Sequence, residues 1–216
     1  MLAITGAHPY RKFPAEGKGW IVGIDNQRMK QVDIPAFKKF LPARYKPTGS
    51  WSKQDLIQTC EADGRNWQIQ FKSGEMDITK FMGEAIDWIW IDEEPKYGFE
   101  EKYAEMMLRL MDKKGIWWMT ATPILGTAFL KKLSEMRGVF ATTSSVWDNP
   151  YIPEEEIQRI LENECLTQED IDVRIEGKYI IFGGRPVFNV RLLNGMLDKA
   201  KAEAPAMQGV LETVAA

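Results

Sequence analysis

The stretch Trp88-Ile89-Trp90-Ile91-Asp92-Glu93-Glu94-Pro95 decides how this chain is read. Its first half is almost continuously apolar, with none of the alternation of a strand that has one wet face. That is the pattern of a central strand covered on both sides. The run then ends in three adjacent carboxylates, and Pro95 prevents simple continuation. Open α/β sheets bind ligands just beyond the carboxyl ends of their strands. Neighbouring like charges repel, so such a cluster calls for a cation or for solvent. Taken alone, the stretch fits a solvated acidic turn as well as it fits a site.

The next apolar run breaks the tie. Ile116-Trp117-Trp118-Met119 leads directly into Thr120-Ala121-Thr122-Pro123. If the two strands are neighbours, hydroxyls that both donate and accept hydrogen bonds lie beside the acids. Between them, Phe99, Tyr103, Met106, Met107 and Leu110 recur at helical spacing.

Working outward, residues 20–25 read as a strand, followed by a helical stretch with Met29, Val32, Ala36, Phe37 and Phe40 on one side. Pro35 breaks or restarts that helix. Residues 43–52, with Pro47, Gly49 and Ser50, read as a loop. Trp67-Gln68-Ile69-Gln70-Phe71-Lys72 alternates as a half-exposed strand, and residues 139–143 form a further strand. Pro153 before Glu154, Glu155 and Glu156 marks a helix start, and Thr167 with Asp170 forms a capping box. The tail from Leu197 is Ala-rich and reads as helical or frayed. Strands alternating with helices predict an α/β layer architecture around a mostly parallel sheet.

The bulk properties are those of an ordinary globular chain. Of 216 residues, 44% are hydrophobic and 27% charged, and no apolar run is long enough to span a bilayer. The net charge of -3 lacks the basic excess of a dedicated nucleic-acid binder, so any DNA contact is local or shared between subunits. Cys60 and Cys165 are too few and too far apart for a disulfide framework or a metal-ligand spacing.

A hydrophobic strand ending in Asp92-Glu93, a helix, and a strand ending in Thr120-Ala121-Thr122-Pro123 together resemble the ATPase domain of tailed-phage terminase large subunits. The first element has the form of a Walker B motif. The likeness continues through residues 67–73, Lys80-Phe81-Met82-Gly83, Trp147-Asp148-Asn149-Pro150, Arg174-Ile175-Glu176-Gly177 and Gly184-Arg185-Pro186-Val187-Phe188. It implies a P-loop NTPase-like (ASCE) three-layer core, N-terminally truncated, over residues 1–188, with residues 189–216 as a tail without a nuclease domain. It implies ATP and Mg2+ as cofactors, Asp92 at the metal, Glu93 as the catalytic residue that polarises water, and residues 120–123 as the coupling motif. Glu94 is a group behind these two or on the surface. The implied role is ATP-driven packaging of viral DNA in the host cytoplasm, transiently at the procapsid portal. Implied partners are double-stranded DNA, the portal protein, the small terminase subunit and copies of the chain in a ring, with no membrane.

The sequence also departs from that family. No glycine-rich run ends in Gly-Lys-Ser/Thr, so the Walker A cradle for phosphates is absent, and Gly17-Lys18-Gly19 is no substitute. The start of the chain resembles the end of the helix that follows that loop. A separate polypeptide carrying the loop, a helicase-like ASCE ATPase fragment, and a non-catalytic remnant acting through partner binding are the alternatives. Arg65, Arg109 and Arg137 are weak arginine-finger candidates. Arg28, Lys30, Lys38, Lys39, Arg44 and Lys46 read as a solvated face or a DNA-tracking one, and His8 as structural or exposed.

Overall fold

Eight strands pair into a single sheet in the computed structural model, which describes residues 2–5, 17–43, 45–52, 56–62, 64–126, 128–162 and 166–180. They are β1 (Leu2–Thr5), β2 (Gly17–Gly23), β3 (Lys46–Ser52), β4 (Ile57–Ala62), β5 (Arg65–Ser73), β6 (Trp88–Asp92), β7 (Ile116–Ala121) and β8 (Phe140–Thr143). The order across the sheet is β3-β4-β5-β2-β6-β7-β1-β8. The described helices are α1 (Asn26–Arg28), α2 (Ile34–Phe40), α3 (Phe99–Met111), α4 (Ala128–Ser134), α5 (Glu154–Leu161) and α6 (Gln168–Arg174).

The sheet is only partly parallel, which corrects the expectation of a mostly parallel one. β5, β2, β6 and β7 form the parallel block. On one flank β4 and β3 run antiparallel to their neighbours, and on the other β1 lies antiparallel between β7 and β8. The first flank is a meander whose segments are too short for the crossover that parallel neighbours require. Only Asp63 and Gly64 separate β4 from β5, a two-residue hairpin sequence, and Gly64 takes a φ of 72°. β3 corrects the reading of residues 43–52 as a loop. It is the edge strand, where Pro47 is tolerated, and its pairing with β4 is irregular between Thr48 and Ser52. At the other end of the chain, β1 is a strand and not the end of a helix.

Both faces of the parallel block are covered, as the continuous apolar runs require. Trp20, Val22, Ile89, Ile91, Trp117 and Met119 point to one face and pack with Phe99, Tyr103 and Met106 of α3 and Leu130 and Leu133 of α4. Ile21, Trp88 and Ile116 point to the other and meet Met29, Ile34 and Phe37. The result is three layers. Gly19 sits opposite Trp88 in register and leaves room for its indole, which stacks on Trp118 at a centroid distance of 5.5 Å.

Between α1 and α2 the helix widens into a π turn over Met29–Asp33, where the N–H of Ile34 donates to the Met29 carbonyl. The turn ends just before Pro35, which lacks an N–H and occupies the first turn of α2. One extra residue in the turn shifts the phase of the inward face. Met29 and Asp33, four residues apart, share the inward face, and Val32 and Phe40 are left exposed, contrary to the simple helical reading. α5 begins after Pro153, and α6 carries the expected box, with the Asp170 N–H donating to Thr167 Oγ1 and Thr167 donating to Asp170. The segment of residues 184–188, the Ala-rich tail, His8, Arg44 and Cys165 lie outside the described residues.

A methyl group on Gly19 would overlap the Trp88 ring. Gly19→Ala is expected to lower unfolding free energy by about 1–3 kcal/mol, the usual cost of overpacking. Urea denaturation followed by tryptophan fluorescence checks this, and unchanged stability would contradict the packing described.

Candidate functional site at the carboxyl end of the parallel strands

β6 and β7 are parallel neighbours, and their register sets Asp92 directly opposite Thr120. Both residues belong to the face that carries Trp88, Trp90 and Trp118, because side chains alternate along a strand. The Trp90 indole N–H donates to Thr120 Oγ1 at 3.0 Å, and the Thr120 hydroxyl donates onward to Asp92 Oδ1 at 2.9 Å. The hydroxyl proton is thereby committed to the acid, which holds the Asp92 carboxylate in one orientation.

Glu93 leaves the strand in a left-handed conformation, with φ 67°. That conformation is costly for a residue with a Cβ and persists only where its surroundings enforce it. Here the enforcing bonds are visible. Its own N–H donates to the Thr120 carbonyl at 2.7 Å, and its Oε2 accepts the Thr122 N–H at 2.9 Å. Arg28, at the end of α1, approaches the other oxygen at 3.6 Å. Burial raises the Glu93 pKa, the Thr122 N–H opposes that shift, Asp92 adds to it, and Arg28 again opposes it. The outcome is a carboxylate with a raised proton affinity, fixed between one backbone amide and one guanidinium.

The structure brings Asp92, Glu93, Thr120 and Thr122 to one sheet edge. It also places the other residues weighed beside them. Glu94 is buried at 4% exposure, not at the surface. Arg109 lies on α3, pairs with Glu105 and donates to the Gly83 carbonyl, so it is part of the scaffold. Arg28 faces the site, which separates it from the basic face it was grouped with. Cys60 is buried, and burial pushes its thiol pKa up, away from reactivity. Lys102, on α3, is also buried, and its ammonium donates to the Gly74 and Tyr97 carbonyls at 2.6 and 3.0 Å. It ties α3 to the two loops that flank the acidic turn.

Sequence reasoning missed Asp33. It lies on the inward face with Met29 at 2% exposure, with no hydrogen-bond donor on either oxygen. Its carboxyl lies against Gly23, the register partner of Asp92, and within reach of the Asp92 carboxyl itself. Burial first, and then the Asp92 charge, raise its pKa from 3.8 to about 7. An aspartate four residues after an inward methionine was the available signal.

Two outcomes are expected. Thr120→Val removes the half-buried Trp90–Thr120–Asp92 chain and costs about 0.5–1.5 kcal/mol, the net worth of a typical hydrogen bond; a Trp90 emission shift accompanies it. For Asp33, the folded state holds a proton that the unfolded state releases near pH 3.8, so stability falls as pH climbs toward about 7 and levels off above. In chelator-containing buffer the thermal midpoint therefore drops between about pH 4 and about pH 7, and Asp33→Asn flattens the profile. Equal slopes for the two proteins would contradict this assignment.

No family model matches the chain, and no curated protein matches it by sequence. Solved structures do match. The large terminase ATPase domain of Thermus phage P74-26 superposes with a TM-score of 0.52 and 14% identity, over 76% of this chain and 76% of that one. A large terminase from a thermophilic bacteriophage aligns with a TM-score of 0.42 and 15% identity, over 50% of this chain and 27% of that one. The same protein in complex with ATP-gamma-S aligns with a TM-score of 0.47 and 11% identity, over 76% of this chain and 40% of that one. At 14% identity the first of these likenesses establishes architecture alone: the chain has a terminase-like ATPase-domain fold.

Proposed function

We propose that this chain is the magnesium-and-water half of an ATPase that drives packaging of viral DNA, in the manner of a terminase large subunit. The observation that carries the reading is the hydrogen bond from Thr120 to Asp92 with Glu93 held alongside by Thr122, so that acids and hydroxyls share one strand-end edge. Asp92 is oriented to take the magnesium of a nucleoside triphosphate, and the oxygen donors at this edge suit a hard cation. Magnesium, when bound, neutralises charge on the transferring phosphoryl group. Glu93 orients the attacking water, and its raised proton affinity suits it to accept a proton. Thr120 and Thr122 are bonded to the two acids through side chain and backbone, so a shift of either acid moves the segment Thr120, Ala121, Thr122, Pro123 that couples hydrolysis to DNA movement.

In this reading residues 1–188 are the partial ATPase domain and residues 189–216 a tail. The partners are double-stranded DNA, a portal protein, a small terminase subunit and further copies in a ring, met in the host cytoplasm at the procapsid. These 216 residues hold no Gly-Lys-Ser/Thr run, so in this reading the phosphate-gripping loop is supplied from outside them, a separate polypeptide being one source. The same absence favours a second reading, a remnant that keeps the fold for partner binding and has lost turnover.

The purified chain is expected to hydrolyse Mg-ATP at no more than background rate, with turnover appearing only when a polypeptide bearing a glycine-rich phosphate loop is added. Phosphate release assays of wild type and Glu93→Gln check this. Robust turnover by the chain alone that vanishes in Glu93→Gln refutes the requirement for a second polypeptide. Nucleotide binding without turnover in any mixture supports the remnant.

A further inference from the structure

Asp33 is the acid that the strand-end motifs do not account for. It reaches the site from the opposite direction, out of the π turn that follows β2 and α1. Its carboxylate is almost fully buried, and neither oxygen has a hydrogen-bond partner. It nevertheless points at a second acid, Asp92, whose carboxyl is within reach. Leaving a buried carboxylate without a donor is expensive, and setting it against another one more so. The approach is built into the backbone. Any side chain at Gly23 would place its Cβ 2.2 Å from Asp33 Oδ2, and Gly23 is the residue paired with Asp92 across β2 and β6. The nearby guanidinium of Arg28 is directed to Glu93.

We propose that Asp33 and Asp92 together hold one divalent cation, with the Thr120 hydroxyl fixing the orientation of Asp92. This rests on the strand-end reading of Asp92 as a metal ligand and adds a ligand that no strand-end motif contains. A cation between the two carboxyls resolves both anomalies at once: it gives the Asp33 oxygens the direct partner that no hydrogen-bond donor supplies and cancels the repulsion between the acids. All the groups are hard oxygen donors, so the class of ion is magnesium or manganese, not a thiophilic metal. The site is open. Among the described residues no three His, Cys, Asp or Glu side chains converge on a metal, so most positions around the ion are left for water and for phosphate oxygens. That is the usual condition of magnesium at nucleotide sites, where one or two carboxylates suffice. Asp33 follows Met29 by four residues, so the same inward face that buries the methionine carries the acid toward the strand end.

The test is Mn2+ binding to the whole chain without nucleotide, read from the electron paramagnetic resonance signal of free Mn2+. Wild type is expected to bind one ion, and Asp33→Asn and Asp92→Asn each to weaken it by about 10- to 100-fold. Asp33→Cys is expected to shift preference from Mn2+ toward Cd2+, an exchange that a purely structural role for residue 33 does not produce. Circular dichroism confirms the fold of each variant. Mn2+ affinity that is unchanged or tighter in Asp33→Asn, while Asp92→Asn abolishes it, overturns the proposal and preserves the strand-end reading; the pair then shares a proton. No Mn2+ binding by wild type also overturns it. The strand-end reading itself fails separately, if Mg-ATP turnover with an added phosphate loop is unaffected by Asp92→Asn.

Discussion

The parallel pairing of β6 with β7 is the constraint on which the site depends. Asp92 meets Thr120 because Trp88 meets Ile116 at the other end of the same ladder. A slip of one residue would reverse every side chain of β6 between the two faces. It would drive Trp88 and Trp90 into the layer of α3 and α4, and carry Asp92 away from the Thr120 hydroxyl. Ile89, Ile91 and Met119 are completely buried on one side, and Trp88 is buried on the other, so the cost of such a slip is spread over two cores. Burying a large apolar side chain contributes roughly 1.5–3 kcal/mol, so several of them outweigh the one hydrogen bond they position.

That surplus is what allows the strand end to be strained and charged. Glu93 holds a left-handed backbone, and three acids, Asp33, Asp92 and Glu93, crowd one edge with Arg28 as the cation set against Glu93. None of these features stabilises the fold. Each persists because the packed layers and the amides of residues 93 and 122 leave no easier arrangement. A scaffold that tolerates repulsion at one place, with its donors already aimed, suits the proposed roles of these acids toward a cation and water.

The sequence made the central elements legible for a physical reason. β6 and β7 are unbroken apolar runs, and α3, α5 and α6 carry a helical stripe or a cap. The flanks were hidden. β3 contains Pro47 and Gly49, whose usual meaning is a turn, and it is a strand only because β4 offers it an edge. Asp63-Gly64 was a hairpin signal that went unread. Lys72 was read as the polar side of a half-exposed strand, yet it is buried, with its ammonium over the Trp20 ring and bonded to the Lys80 carbonyl. Asp33 shares the inward face of Met29 at a spacing of four, but that this face and Arg28 meet the end of β6 follows from the pairing of β2 with β6, which no helical period encodes. The pairing of acids with hydroxyls was readable in one dimension; the residues that complete it arrive from a separate part of the chain.

The direction of β1 bears on what this edge lacks. β7 and β8 run the same way with one strand position between them, and β1 fills that position in the opposite sense. Its register sets Leu2 beside Ala121 and Thr143, so at the site end this position presents the beginning of a strand. A strand running parallel to β7 would instead end there and turn into whatever follows it. Phosphates are gripped by turns of that kind, where a strand passes into a helix whose first amides point at the ligand. With β1 running against β7, the position nearest Thr120 and Thr122 offers no such turn. On the reading proposed above, the acidic and hydroxyl half of the site is assembled from β2, β6 and β7, and β1 sets no phosphate-binding turn beside it.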